Sequence, residues 1–237
     1  MEFHPRINIA DTSLKESKII LGSFPTWSLS NSDLNEDKKA IQMKNGDVPF
    51  FFGSSVNRFW DWYYKYVDNL IIIEDANSIQ KSLKANSIGI TDLIISCDRK
   101  DKSSLDKHLT KRTYNHNFFE DPKQGENIKL LCTSKGVMNE MLLNKKFFKI
   151  HPKLKIDIEK SVIFQKQMIQ KIDGNLNLVK NPFYRSIKSE SGGNIECISI
   201  PSPGSPYRRL VDFGFNSKNA ETFLDDYLKV AFEWFTK

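Results

Sequence analysis

The order of the apolar runs constrains this chain more than any other feature. Lys18-Ile19-Ile20-Leu21, closed by Gly22, reads as a buried strand ending in a turn. Phe59, Trp60, Tyr63, Val67 and Leu70 then recur at helical spacing within 57–70, and Ile79 and Leu83 continue the pattern within 74–84. Residues 127–132 read as a second buried strand. A helix over 135–143 follows it, with Val137, Met141 and Leu142 available to pack. Residues 194–200 alternate Ile195, Cys197 and Ile198 with polar neighbours and stop at Pro201, and 220–235 form a last amphipathic helix. Strand and helix in alternation predict an α/β fold, a three-layer α/β/α sandwich around a central, mainly parallel sheet.

The chain has 237 residues, which suits one large domain or two small ones. Glycine and proline are sparse and no repeat is visible, so a single domain over 1–237 is expected. Residues 147–193, of mixed periodicity, read as an insertion or elaboration with a helix near 158–172. Residues 31–47 read as a polar loop with a short helix. The strongest apolar runs, 48–52 and 70–73, are far shorter than the ~20 residues a membrane span needs. The N-terminus has no apolar signal core. These features predict a soluble cytoplasmic protein with no membrane partner. Cys97, Cys132 and Cys197 show no C-x-x-C spacing, and the four histidines are scattered, so neither a disulfide framework nor a metal cluster is expected. A net charge of +6, mostly from lysine, permits a nucleic-acid partner without demanding one; solvated lysines explain it equally well.

In open α/β sheets, ligands bind beyond the carboxyl ends of the strands. Five segments therefore carry the candidate chemistry. Gly22-Ser23-Phe24-Pro25-Thr26 leaves the first strand through a turn where glycine lets a ligand approach the backbone, although an ordinary strand exit reads the same way. In 51–60, Phe51 or Phe52 offers a stacking face. Asn57 stands at the mouth of a helix, either to orient a ligand or to cap that helix, while Phe59 and Trp60 read as core. In 89–100, Asp92 and Ser96 are polar residues among apolar ones, commonly a sign of buried, hydrogen-bonded groups. Cys132-Thr133-Ser134-Lys135 places two hydroxyls at a strand-to-helix turn, suited to an anion, a base edge or capping. Finally, the stiff loop Pro201-Ser202-Pro203-Gly204-Ser205-Pro206, followed by Arg208 and Arg209, suits phosphate contacts or insertion into a DNA groove.

In this order the five segments resemble those of the uracil-DNA glycosylase superfamily, most closely its hypoxanthine-DNA glycosylase-like branch, sometimes called family six. Members of that branch look like strand-G-S/T-x-P-S, Y-Y-x-x-P-R-N-x-F-W, G-I-G-L-W-D-V, F-N-G-K and L-P-S-x-S-P. The likeness covers about 18–144 and 195–235. Phe51 and Phe52 stand where the two tyrosines would be, Ser55-Val56 replaces Pro-Arg, and Thr133-Ser134 replaces Asn-Gly. Gly204 lengthens the last loop by one residue. The water-activating aspartate of the best-known branch is absent from 22–25, and Ile200 stands where that branch has a histidine.

The resemblance implies hydrolysis of the N-glycosidic bond of a deaminated base in DNA. The base must leave the stack before its bond can be reached. Asn57 matches the catalytic asparagine; an amide has no useful pKa near neutrality, so its role would be to position a water. Gly22, Ser23, Phe24, Phe52, Thr133 and Ser134 would bind the base, with amides near Gly22 donating to it as it gathers negative charge. Lys135, Ser202, Ser205, Arg208 and Arg209 would hold the DNA. Such a site needs no metal and no organic cofactor, and its partner would be DNA with a damaged base, bound by a monomer. Two alternatives remain open on sequence alone: a DNA-binding member with weakened chemistry, and an enzyme of nucleotide or nucleoside metabolism.

Overall fold

The computed structural model describes residues 1–6, 16–30, 43–103, 105–172, 183–207 and 220–237. In chain order these form β1 (Glu2–Phe3), β2 (Lys18–Gly22), α1 (Trp27–Ser30), α2 (Phe59–Tyr66), α3 (Ala76–Ala85), β3 (Ile88–Asp92), β4 (Ile94–Arg99), β5 (Leu109–Tyr114), β6 (Asn127–Cys132), α4 (Lys145–Ile150), β7 (Leu154–Asp157), α5 (Ile158–Ile172), β8 (Tyr184–Ser189), β9 (Asn194–Ser199) and α6 (Ala220–Thr236). A short 3-10 turn spans Asp106–His108, and a π-helical segment spans Gly136–Leu142.

The central sheet has the order β3-β2-β6-β9-β8-β7. Its first four strands run parallel, and β8 and β7 extend it antiparallel. Registers keep the carboxyl ends level: Gly22 faces Asp92, Leu21 faces Cys132, and Cys132 faces Ser199. Side chains alternate across each strand. Ile20, Leu131 and Ile198 therefore join the core under α2, α3, α5 and α6. Ile19, Leu21, Leu130, Cys132 and Cys197 enter the core on the opposite face, with the π-helical segment, Phe118, Phe119 and Phe147. This is the expected three-layer α/β/α arrangement around a mostly parallel sheet.

Within 147–193, β7 and β8 extend that sheet and α5 packs against it, while residues 173–182 lie outside the described residues. Several expected elements differ in detail. Helix α2 begins at Phe59, where the Asn57 side chain receives the Phe59 amide. It ends at Tyr66, where Val67 and Asp68 both donate to the Tyr63 carbonyl. The helix expected over 135–143 is π-wound, closing with Leu143 N on Met138 O at 3.0 Å. A second, antiparallel sheet, β1-β4-β5, continues beyond β3 through the bend at Leu93 and was not legible in the sequence. Of the loop and short helix expected over 31–47, residues 31–42 lie outside the described residues.

Candidate active site

The connections after β2 and after β6 leave for opposite faces of the sheet. Helices α2 and α3 follow β2 on one face, and the π-helical segment follows β6 on the other. Neighbouring strands whose connections diverge in this way open a crevice at their carboxyl ends, the usual ligand position of a doubly wound sheet. Gly22-Ser23-Phe24 and Thr133-Ser134-Lys135 border this crevice, and two bonds stitch them together. Thr133 N and Oγ1 both donate to Leu21 O, at 2.9 and 3.2 Å. On the next strand, Ile200 N donates to Cys132 O at 2.9 Å, which brings the 201–206 loop to the same edge.

The 48–58 loop closes over Gly22. Asp47 anchors it by accepting from Ser55 N, Lys44 N and Ser28 Oγ. Partial burial opposes ionisation of Asp47, but these bonds outweigh it and hold the carboxyl below its usual range. Gly53 is required because a Cβ there would lie 2.0 Å from Val48 O. Phe52 adopts a left-handed backbone, φ 54°. Its ring packs on Phe59 at 4.8 Å, and the ring edge reaches Gly22. A Cβ on Gly22 would stand 2.4 Å from Phe52 Cε1 and 2.0 Å from Asp92 Oδ1. Glycine at 22 is thus what lets an aromatic ring and a carboxylate converge on one point of the strand end.

Asp92 is buried. Its Oδ2 accepts from His4 Nε2 at 2.9 Å, and the direction is set because His4 Nδ1 accepts from Arg6 N at 3.0 Å. Among the described residues, its Oδ1 has no hydrogen-bond partner. His4 also packs edge-on to Phe24 and against Phe51, and a cleft of about 10 Å³, the room one water needs, lies between His4, Pro25, Phe51 and Asp92. A second carboxylate, Asp106, approaches from the 3-10 turn and engages the Ser23 side chain. Burial pushes its carboxyl above the usual value, and the Asp92 charge adds to this, while Ser23, Arg112 and Arg99 pull the other way. The Arg99 side chain, 2% exposed, fixes the first loop from below. It pairs with Glu2 at 3.0 Å and donates to Pro25 O at 2.7 Å, and its guanidinium lies over Phe24.

The expected site residues fall into three groups. Gly22, Ser23, Phe52 and Asn57 line the mouth of the crevice or its covering loop. Arg58 N donates to Pro203 O at 3.2 Å, so the Asn57 and 201–206 loops touch, and a turn closed by Ser205 N on Ser202 O holds Ser202 and Ser205 at its two ends. Other candidates are engaged within the scaffold. The Thr133 hydroxyl serves the Leu21 carbonyl, and Ser134 Oγ caps the π-helical segment through Val137 N at 3.0 Å. Phe51 is core at 3% exposure, and Phe24 is closed in by His4 and Arg99. Asn57 Oδ1 caps α2 through Phe59 N at 3.0 Å, but it keeps a second lone pair and an amide NH₂. Lys135 is half-buried beside the β6 exit. Arg208 and Arg209 lie outside the described residues.

His4, Asp106 and Arg99 were not expected. No local spacing links them to the crevice, since His4 and Asp92 are 88 residues apart in the chain. Asp92 did carry a signal, as a carboxylate inside an apolar strand. Comparison with known proteins finds no family model, no curated protein and no solved structure that matches this chain. Among the described residues, no helix is long and apolar enough to cross a membrane.

Proposed function

We propose that this protein is a DNA glycosylase that hydrolyses the N-glycosidic bond of a deaminated base, working as a cytoplasmic monomer on damaged DNA. One observation supports the reading: segments far apart in the chain, which in order resemble motifs of the uracil-DNA glycosylase superfamily, meet at the carboxyl ends of the central strands. Gly22 lies against Phe52, Thr133 is tied to Leu21, and Arg58 is tied to Pro203. Phe52 offers a half-buried ring for an extruded base. Asn57 stands where the helix opens, with hydrogen-bonding capacity left to position a water. Lys135 and the 201–206 loop supply phosphate-side contacts, which make binding salt-dependent.

The test is single-turnover incubation with oligonucleotides carrying uracil, hypoxanthine or xanthine. The wild type releases at least one base. Asn57→Ala does not, and it retains DNA affinity. Normal turnover by Asn57→Ala removes the assignment. A second reading, a DNA-binding member with weakened chemistry, draws on the engagement of Asn57 Oδ1, Thr133 and Ser134 within the scaffold. It expects salt-dependent DNA binding and no base release from any of the three substrates.

A further inference from the structure

A hydrolysis of this kind needs somewhere for the proton of the attacking water to go. The Asn57 amide cannot take it, because it does not titrate near neutrality. Beside Gly22 and Phe52 lies a group that can. Asp92 is 2% exposed, and among the described residues its Oδ1 has no hydrogen-bond partner. Leaving a buried carboxylate oxygen without a donor is costly, and such groups concentrate at working sites. The scaffold nonetheless holds this one firmly: His4 Nε2–H fixes Oδ2, and Arg6 N–H fixes the His4 ring. Oδ1 is left facing the Gly22 backbone and the Phe52 ring edge.

Resting on the glycosylase reading, we propose that Asp92 is the catalytic proton acceptor, acting through Oδ1 beside Gly22 and the Phe52 ring edge. As the glycosidic C–N bond breaks, its electron pair leaves with the base. The water oxygen bonds to the sugar carbon, and the water proton passes to Asp92 Oδ1. That proton returns to the departed base anion or to solvent, restoring the carboxylate. Among the described residues, His4 at the end of β1 pairs with Asp92, and Asp106 in the 3-10 turn interacts with it electrostatically; Arg99 on β4 and Arg112 on β5 act in turn on Asp106. Asp106, held toward its protonated form by burial, is the weaker candidate for a base.

The experiment measures single-turnover base release against pH for the wild type, Asp92→Asn and Asp106→Asn, with DNA affinity and thermal stability alongside. The wild-type rate is expected to fall tenfold per pH unit on the acid side. Asp92→Asn keeps a partner for His4, binds DNA as before, loses about 10²–10⁴-fold in rate and lacks the acid limb; Asp106→Asn keeps the limb. An active wild type with a flat acid side overturns the proposal, even if Asp92→Asn does not fold. So does an Asp92→Asn rate within threefold of wild type, and this result leaves the glycosylase reading standing. A wild type inert on all three bases overturns both.

Discussion

Gly22→Ala tests the geometry of the crevice without assuming any chemistry. The added methyl would lie 2.0 Å from Asp92 Oδ1 and 2.4 and 2.8 Å from two Phe52 ring carbons. Contacts this short cannot be absorbed in place. Phe52 is held by its packing on Phe59 and Trp60, and Asp92 by His4. Inserting a methylene into a packed site costs about 1–3 kcal/mol, and because the carboxylate cannot retreat without loosening His4, we expect the upper end. For a chain of this size each kcal/mol moves Tm by about 2–4 °C, so about 3 kcal/mol lowers it by roughly 6–12 °C. Thermal and urea unfolding of the wild type, Gly22→Ala, Phe52→Ala and the double variant measure this directly. Removing the ring eliminates two of the three clashes, so the double variant should be more stable than additivity allows by more than about 0.5 kcal/mol. A Gly22→Ala protein within 2 °C of wild type, or strict additivity with Phe52→Ala, would refute the convergence of ring and carboxylate on Gly22.

Arg99→Ala should cost about 3–5 kcal/mol, because it strips a buried partner from Glu2 and a donor from Pro25 O; denaturant titration checks this, and Arg99→Lys should recover little, since one ammonium cannot span the acceptors of a planar fork. Asp106→Asn should raise stability at neutral pH. The folded carboxyl holds its proton to a higher pH than the unfolded one, so its stabilising contribution is lost as pH rises from the ordinary 3.8 through the raised folded value. The advantage of the variant should therefore vanish below that window, and a constant difference across pH would count against it. Burial pushes the Cys132 and Cys197 thiols up, and both are free. They should react with a disulfide reagent only as fast as the protein opens, whereas rapid labelling of the native state would contradict their burial.

The chain alone determined which segments become elements and which faces they bury. β2 and β6 lie where their apolar runs put them, and α5 and α6 follow their helical periods to within a residue. Phe59 and Trp60 are core because a helix repeating every 3.6 residues turns them to one side. These are local properties, legible in neighbouring residues. The loops that would carry chemistry were also legible, because glycine, proline and polar residues at strand exits mark turns. The partners across the crevice were not. A strand's sequence reports its buried face and leaves open which strand lies beside it, so β1 on β4 and the second sheet appeared only in the fold. The same limit hid His4 behind Asp92 and Arg99 beneath Pro25. It also left Thr133 undecided between ligand and scaffold until the fold brought its hydroxyl to Leu21 O, whereas the caps made by Asn57 and Ser134 are local bonds that the sequence already offered as one alternative. Hydrogen bonds join atoms that folding brings together, and their energy depends on a distance that no spacing along the chain encodes.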